Sequence, residues 1–143
     1  MGKTRKETKT SAFSDAGQTM SGRVLVVDDS KSMQETVSRF LKFIGFEAAF
    51  AGNGVEALSL FLKNSFDLVL TDLEMPIMDG WNLARRIKEG SPNTPVVLMT
   101  GAGRESVLNS KKLERGPVDS VIFKPFGLED LQRTVREALE LKK

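Results

Sequence analysis

Leu68-Val69-Leu70-Thr71-Asp72-Leu73-Glu74-Met75-Pro76-Ile77-Met78-Asp79-Gly80 begins as an apolar run, breaks at an aspartate and continues through a proline to an Asp-Gly pair. An apolar run of this length, bounded by turn residues, reads as a buried strand. Asp72 then stands at the carboxyl end of that strand, where the chain leaves the sheet. In open α/β sheets that edge is where ligands bind.

Upstream, Val24-Leu25-Val26-Val27 is a second apolar run, ending in Asp28-Asp29-Ser30. A helix follows, with Met33, Val37, Leu41 and Ile44 at helical spacing. Ser30 or Asp29 supplies its N-cap and Gly45 its end. Phe46 to Ala51 is a weaker strand, Gly52-Asn53-Gly54 a turn, and Val55, Leu58 and Leu62 mark the next helix. The quoted strand spans Phe66 to Thr71.

Downstream, Asp79-Gly80 opens a helix with Leu83, Ala84 and Ile87 inward. The fourth strand is Val96 to Met99, ending at Thr100-Gly101. A helix with a poor apolar stripe runs from Arg104 to about Glu114, carrying the basic run Lys111, Lys112 and Arg115 at its end. The fifth strand, Val118 to Phe123, ends at Lys124-Pro125, and Leu128, Leu131, Val135 and Leu139 mark a closing helix. Five βα units with near-continuous apolar strands predict a parallel sheet covered on both faces, with right-handed crossovers.

Composition narrows the chemistry. The 143 residues suit one domain with a single core. There is no cysteine and no histidine. That excludes disulfides, thiolate chemistry, the commonest general base and the usual transition-metal ligands. The net charge of +2 comes from the first twenty residues, where Lys3, Arg5, Lys6 and Lys9 outnumber Glu7 and Asp15. Residues 1–21 are polar and aperiodic and read as a disordered tail. The charge-balanced remainder argues against nucleic-acid binding. No apolar run is long enough to span a bilayer and no signal-peptide pattern opens the chain, so the cytoplasm is the expected compartment.

Four strand ends carry polar residues: Asp28 and Asp29, then Asp72, Thr100 and Lys124. In a parallel sheet the carboxyl ends share one edge, so these residues converge if the first and third strands are neighbours. Three close carboxylates must take up protons, pair with Lys124 or bind a cation. An all-oxygen site suits Mg²⁺. A carboxylate beside Mg²⁺, a Lys ammonium and a Thr hydroxyl meets the needs of phosphoryl transfer, with Asp72 attacking phosphorus.

Val-Asp28-Asp29-Ser, Leu-Thr-Asp72-Leu-Glu-Met-Pro76-Ile-Met-Asp-Gly80, Met-Thr100-Gly and Lys124-Pro125-Phe stand in the order and at the elements of one family. From about Gly22 to its end the chain resembles the receiver domain of two-component response regulators, of the stand-alone CheY-like kind. The resemblance implies a flavodoxin-like three-layer α/β sandwich with strand order 2-1-3-4-5 and a receiver domain over residues 22–143 with no effector module after it. It implies that Asp72 accepts a phosphoryl group from the phosphohistidine of a sensor histidine kinase or phosphotransfer protein. Asp29 would ligate Mg²⁺ directly, Asp28 through water, and Asp72 and the Glu74 carbonyl would complete the protein ligands. Thr100 and Lys124 would hold the phosphoryl oxygens. Output would pass through the face of helix 4, strand 5 and helix 5 to a downstream protein, from a monomer or weak dimer. It also implies a cis Lys124–Pro125 bond and a signalling role rather than an enzyme's, with slow autodephosphorylation.

Three positions depart from the family pattern. Val121 stands where an aromatic switch residue is usual, with Phe123 nearer the strand end on the same face. Glu74 and Ala102 occupy positions that tune dephosphorylation. Two other functions use similar residues. A haloacid-dehalogenase-type phosphatase also combines Asp, Thr, Lys and Mg²⁺, but carries its nucleophile on the first strand as Asp-x-Asp. A receiver-like scaffold would keep the fold without ever being phosphorylated.

Overall fold

The computed structural model describes residues 20–101, 103–109 and 116–142. Among these residues, five strands alternate with five helices: β1 (Gly22–Val27), α1 (Lys31–Ile44), β2 (Phe46–Ala51), α2 (Gly54–Lys63), β3 (Leu68–Asp72), α3 (Gly80–Gly90), β4 (Val96–Thr100), α4 (Arg104–Leu108), β5 (Ser120–Phe123) and α5 (Leu128–Lys142). All strand pairs are parallel. The sheet order is β2-β1-β3-β4-β5, the flavodoxin-like order expected.

Side-chain alternation along the strands sorts the core into two layers. Val24, Val26, Leu68, Leu70, Val97, Met99 and Ile122 pack against Val37 and Leu41 of α1 and Leu131 and Val135 of α5. Leu25, Val27, Val69 and Val96 pack with Ala57 of α2 and Leu83, Ala84 and Ile87 of α3. β3 is buried along its whole length because helices cover both of its faces.

Local chemistry fixes the helix ends. The Ser30 hydroxyl accepts from the Met33 N–H at 3.2 Å and caps α1. Gly45 ends α1 at φ 123°, and a Cβ there would collide with the Met20 carbonyl. The Gly52-Asn53-Gly54 turn is also the start of α2. Asn53 Oδ1 accepts from the Glu56 N–H at 2.9 Å, and Glu56 Oε1 accepts from the Gly52 N–H at 2.8 Å, a reciprocal cap of the capping-box type.

Two sequence expectations change, and a third is covered only in part. Met20, assigned by composition to the tail, is buried in the α1/α5 layer beside Ile44 and Phe46, so the packed unit begins before Gly22. In α2, Leu58 packs inward as expected, but Val55 and Leu62 are 54% and 81% exposed, and Ala57 and Phe61 face inward in their place. α4 covers Arg104–Leu108, and the rest of its expected span, with Lys111, Lys112 and Arg115, lies outside the described residues. Residues 1–19 and Ala102 also lie outside them. Among the described residues, no helix is long and apolar enough to cross a membrane.

Candidate functional site

β1 pairs with β2 on one side and β3 on the other, so the sheet changes direction at β1/β3 and a crevice opens beyond their carboxyl ends. Val27 is in register with Thr71. The residues that follow each, Asp28–Asp29 and Asp72, are therefore delivered to the same place. One carboxylate oxygen from each of Asp28, Asp29 and Asp72 lies within 4.8 Å of the others.

β4 and β5 bring the remaining two residues. Thr100 closes β4, fully buried, and its carbonyl accepts from the Lys124 N–H at 2.8 Å. The Lys124 ammonium reaches back across the strand ends. Its Nζ is 3.2 Å from Asp72 Oδ1 and 3.3 Å from Asp28 Oδ2. The following Lys124–Pro125 bond is cis, as the resemblance implied.

The carboxylates are held differently. Asp28 is buried; its Oδ1 accepts from the Ser30 N–H at 2.9 Å, and Gln34 Nε2 donates to its carbonyl at 2.7 Å. Asp29 is exposed. Asp72 is buried to 8% exposure. That burial raises its carboxyl above the ordinary carboxylate value; Lys124 opposes the rise, and the charges of Asp28 and Asp29 add to it. Burial alone would lower the Lys124 ammonium, but the Asp28 and Asp72 carboxylates outweigh it and hold Lys124 above the usual lysine range. Three carboxylates against one ammonium leave an excess of negative charge on oxygen donors alone. That donor set fits a hard divalent cation of the Mg²⁺ type.

The loop after β3 is stitched down close to the site. The Leu73 N–H donates to the Met99 carbonyl at 2.9 Å, and the Gly80 N–H donates to the Leu73 carbonyl at 2.8 Å. Asp79 caps α3 through the Asn82 N–H at 2.9 Å. Leu73, Glu74, Met75, Pro76, Asp79 and Trp81 line an open groove of about 570 Å³ beside Asp72. Met75 is buried in the α2/α3 layer and Met78 packs against it. Ile77 stands out of the loop, exposed, at φ 73°.

All five residues singled out at the strand ends thus meet at one edge of the sheet, and Glu74 follows in the exposed loop. One contributor was not singled out, and another was named only as a motif and helix-opening residue. Gln34 holds the Asp28 carbonyl, a contact signalled only by its place one turn into α1. Gly80 lies so close under the Asp72 carbonyl that a side chain there would collide with it. Val121 and Phe123 are both half-buried on β5, and the Phe123 ring is covered by the Arg104 guanidinium, with Cζ 4.2 Å from its centre.

A family model described as the response regulator receiver domain matches residues 24–136. Response regulator MprA of Mycobacterium sp. (strain KMS) is 35% identical over 117 residues, covering 82% of this chain and 50% of that protein. Autoinducer 1 sensor kinase/phosphatase LuxN of Vibrio harveyi is 39% identical over 113 residues, 78% of this chain and 13% of that protein. The chain therefore spans half or less of the length of these relatives. Among solved structures, the response regulator protein TrrA of Thermotoga maritima in complex with Mg²⁺-BeF superposes with a TM-score of 0.73 at 30% identity, covering 82% of this chain and 98% of that one.

Proposed function

We propose that this chain, which belongs to the response regulator receiver domain family, takes a phosphoryl group onto Asp72 from a phosphohistidine and relays that state to a partner protein. The observation that carries the reading is the shared ammonium. Lys124 bridges Asp28 and Asp72 at the crevice where three carboxylates converge. A purely structural ion pair would need only one of them.

The chemistry follows from what each group can do. An Asp72 carboxylate oxygen attacks phosphorus in line. The phosphorus–nitrogen bond of the donor breaks, its electron pair stays with the imidazole nitrogen, and an acyl phosphate forms on Asp72. The Lys124 ammonium already touches the attacking carboxylate and neutralises the phosphoryl oxygens as they arrive. The Thr100 hydroxyl donates to another of those oxygens. Asp29, Asp72 and the Glu74 carbonyl would hold Mg²⁺, with Asp28 acting through water, and the bound ion would offset charge on the phosphoryl oxygens. The donor is a sensor histidine kinase or phosphotransfer protein, and the output surface is the α4–β5–α5 face. The acidic pair on β1 with the nucleophile on β3 is the order expected of a receiver and the reverse of the phosphatase arrangement.

Incubation with acetyl phosphate and Mg²⁺, followed by intact mass, tests the reading. One phosphoryl group per chain, absent without Mg²⁺ and labile to hydroxylamine, is the expected result. No adduct under these conditions would sink it, and steady turnover of phosphate monoesters would favour the phosphatase.

Metal removal gives a second test. Mg²⁺ binds only the folded arrangement of carboxylates, so at about ten times its Kd it should stabilise the chain by about 1.4 kcal/mol. Thermal melts with and without chelator measure this. Asp29→Asn, a change at an exposed position, is expected to erase most of the difference and leave the metal-free melt almost unmoved. Equal Mg²⁺ responses in both proteins would remove Asp29 from the ligand set.

A further inference from the structure

The outer face of α2 is organised as well as apolar. Ala57 turns toward the core, and Val55, Ser59 and Leu62 lie on the opposite side of the helix, all exposed. Their spacing, four residues and then three, is the repeat by which two helices pack along a seam. Among the described residues four large apolar side chains are exposed, and this face holds two of them. A third, Ile77, stands at its amino-terminal end. Met78, the next residue, brings it there by filling the space over Gly54, its Sδ 2.8 Å from where a Cβ would lie.

Glu56 and Lys63 border the same side of this seam, and both are exposed. Seven residues separate them, about 10.5 Å along the axis, too far for them to pair with each other. Among the described residues neither makes an ion pair. The Glu56 carboxylate is nevertheless held in place, because its Oε1 accepts from the Gly52 N–H at 2.8 Å.

We propose that α2 is a self-association surface, on which a second copy of this chain lays its own α2 antiparallel. Reversing the helix brings Val55 against Leu62 of the second copy. Ser59 then meets Ser59 of the second copy at the twofold axis, where a small side chain permits close approach. The same reversal sets Glu56 beside Lys63 of the second copy, and does so twice per dimer. The face thus complements itself in shape and in charge, as an isologous interface requires. A membrane surface would call for a basic rim, whereas this rim carries one charge of each sign. Two three-turn helices bury less than the roughly 1,200 Å² of a stable complex, so the dimer forms weakly, at concentrations on the order of 100 µM to 1 mM. α2 packs over β1 and β2, at the end of the sheet away from β5. Association through it leaves the α4–β5–α5 face of each copy open. The inference does not depend on Asp72 being a phosphoacceptor.

Sedimentation velocity and amide NMR spectra of the whole chain, from about 20 µM to about 1 mM, test it. The mean mass should rise with concentration, and the shifts that accompany the rise should centre on Gly54–Lys63 and Ile77. Leu62→Ser, a change at an exposed position, should weaken association about tenfold. Lys63→Glu and Glu56→Lys each set like charges together twice per dimer and should weaken it about three- to tenfold. An equal mixture of those two variants pairs every glutamate with a lysine and should recover the wild-type association. Thermal melts establish that each variant is folded at the temperature of the measurement. The proposal is overturned if the mass does not rise across the range or if Leu62→Ser associates like the wild type. It is overturned equally if the shifts centre on another face, or if the mixture associates no better than either variant alone.

Discussion

Asp72→Asn is expected to take up no phosphoryl group from acetyl phosphate and, in magnesium-free buffer at neutral pH, to melt at a higher temperature than the wild-type chain. The first half follows from chemistry: an amide offers phosphorus no anionic oxygen. The second follows from what surrounds the carboxyl. Burial, then Asp28 and Asp29, push Asp72 above its ordinary value of 3.8, against the pull of Lys124. A carboxyl with a raised value in the folded state holds its proton more tightly there than in the unfolded chain. Its stabilising contribution is complete below 3.8 and is lost as pH rises through the raised folded value. At neutral pH the wild-type chain therefore carries the cost of an ionised, crowded carboxylate that the asparagine variant escapes. Lys124 keeps a partner in the variant, because Asp28 lies 3.3 Å from its Nζ.

The pH profile separates this account from a general packing effect. The difference in melting temperature between variant and wild type should be small near pH 4, grow as pH rises through the folded value of Asp72, and then level off. Mg²⁺ should narrow it, since the wild-type carboxylate then gains a cation that the amide binds weakly. Thermal melts across pH, with and without Mg²⁺, give all of these differences. A variant less stable than wild type at neutral pH would mean that Lys124 more than compensates the burial of Asp72, and the electrostatic description of the site would have to be reversed.

The strand ends were legible in the sequence because the code there is abrupt. Val24 to Val27, Leu68 to Leu70 and Val96 to Met99 are apolar on both faces and each is followed by a polar residue, so the site residues announce themselves as interruptions. Periodicity alone did not give the order of strands, since alternating β and α elements can close in several ways; the resemblance supplied it. Periodicity also failed in α2. Gly54-Val-Glu-Ala-Leu-Ser-Leu-Phe-Leu-Lys63 is apolar around most of its circumference, and two stripes fit helical spacing equally well. The small Ala57 decides between them by allowing close approach to the sheet, and the larger Val55 and Leu62 are left outside. Met20 was hidden by its Ser-Gly flank, although the collapse of that one side chain into the α1/α5 layer is an ordinary gain from burying apolar surface. The Arg104–Phe123 stack joins residues nineteen apart through the position of α4 beside β5, which no local pattern encodes.

Gly80→Ala is expected to destabilise the chain by about 3 kcal/mol, at the upper end of overpacking costs, and to slow phosphoryl uptake by what remains folded. At the first position of a helix, alanine would ordinarily be the better residue. Here a Cβ would lie 2.6 Å from the Asp72 carbonyl oxygen, 2.7 Å from Leu98 Cδ2 and 3.0 Å from Leu73 Cα. Two of these three are backbone atoms. Leu98 could turn aside only within a fully buried environment. If α3 backs away instead, the Gly80 N–H loses the Leu73 carbonyl, and if β3 yields, the Asp72 peptide moves and its carboxylate moves with it. Each route of relief therefore spends either fold stability or the placement of the nucleophile. Gly90→Ala, at the other end of the same helix with nothing within 4 Å of its Cβ, supplies the control and should be neutral or stabilise by about 0.5–1 kcal/mol. Urea denaturation distinguishes them: a lower midpoint for Gly80→Ala with an unchanged slope reports lost stability rather than a changed unfolded state. Equal midpoints for the two variants would show that the β3–α3 junction can give way without cost, and the close approach at Gly80 would then have no part in fixing Asp72.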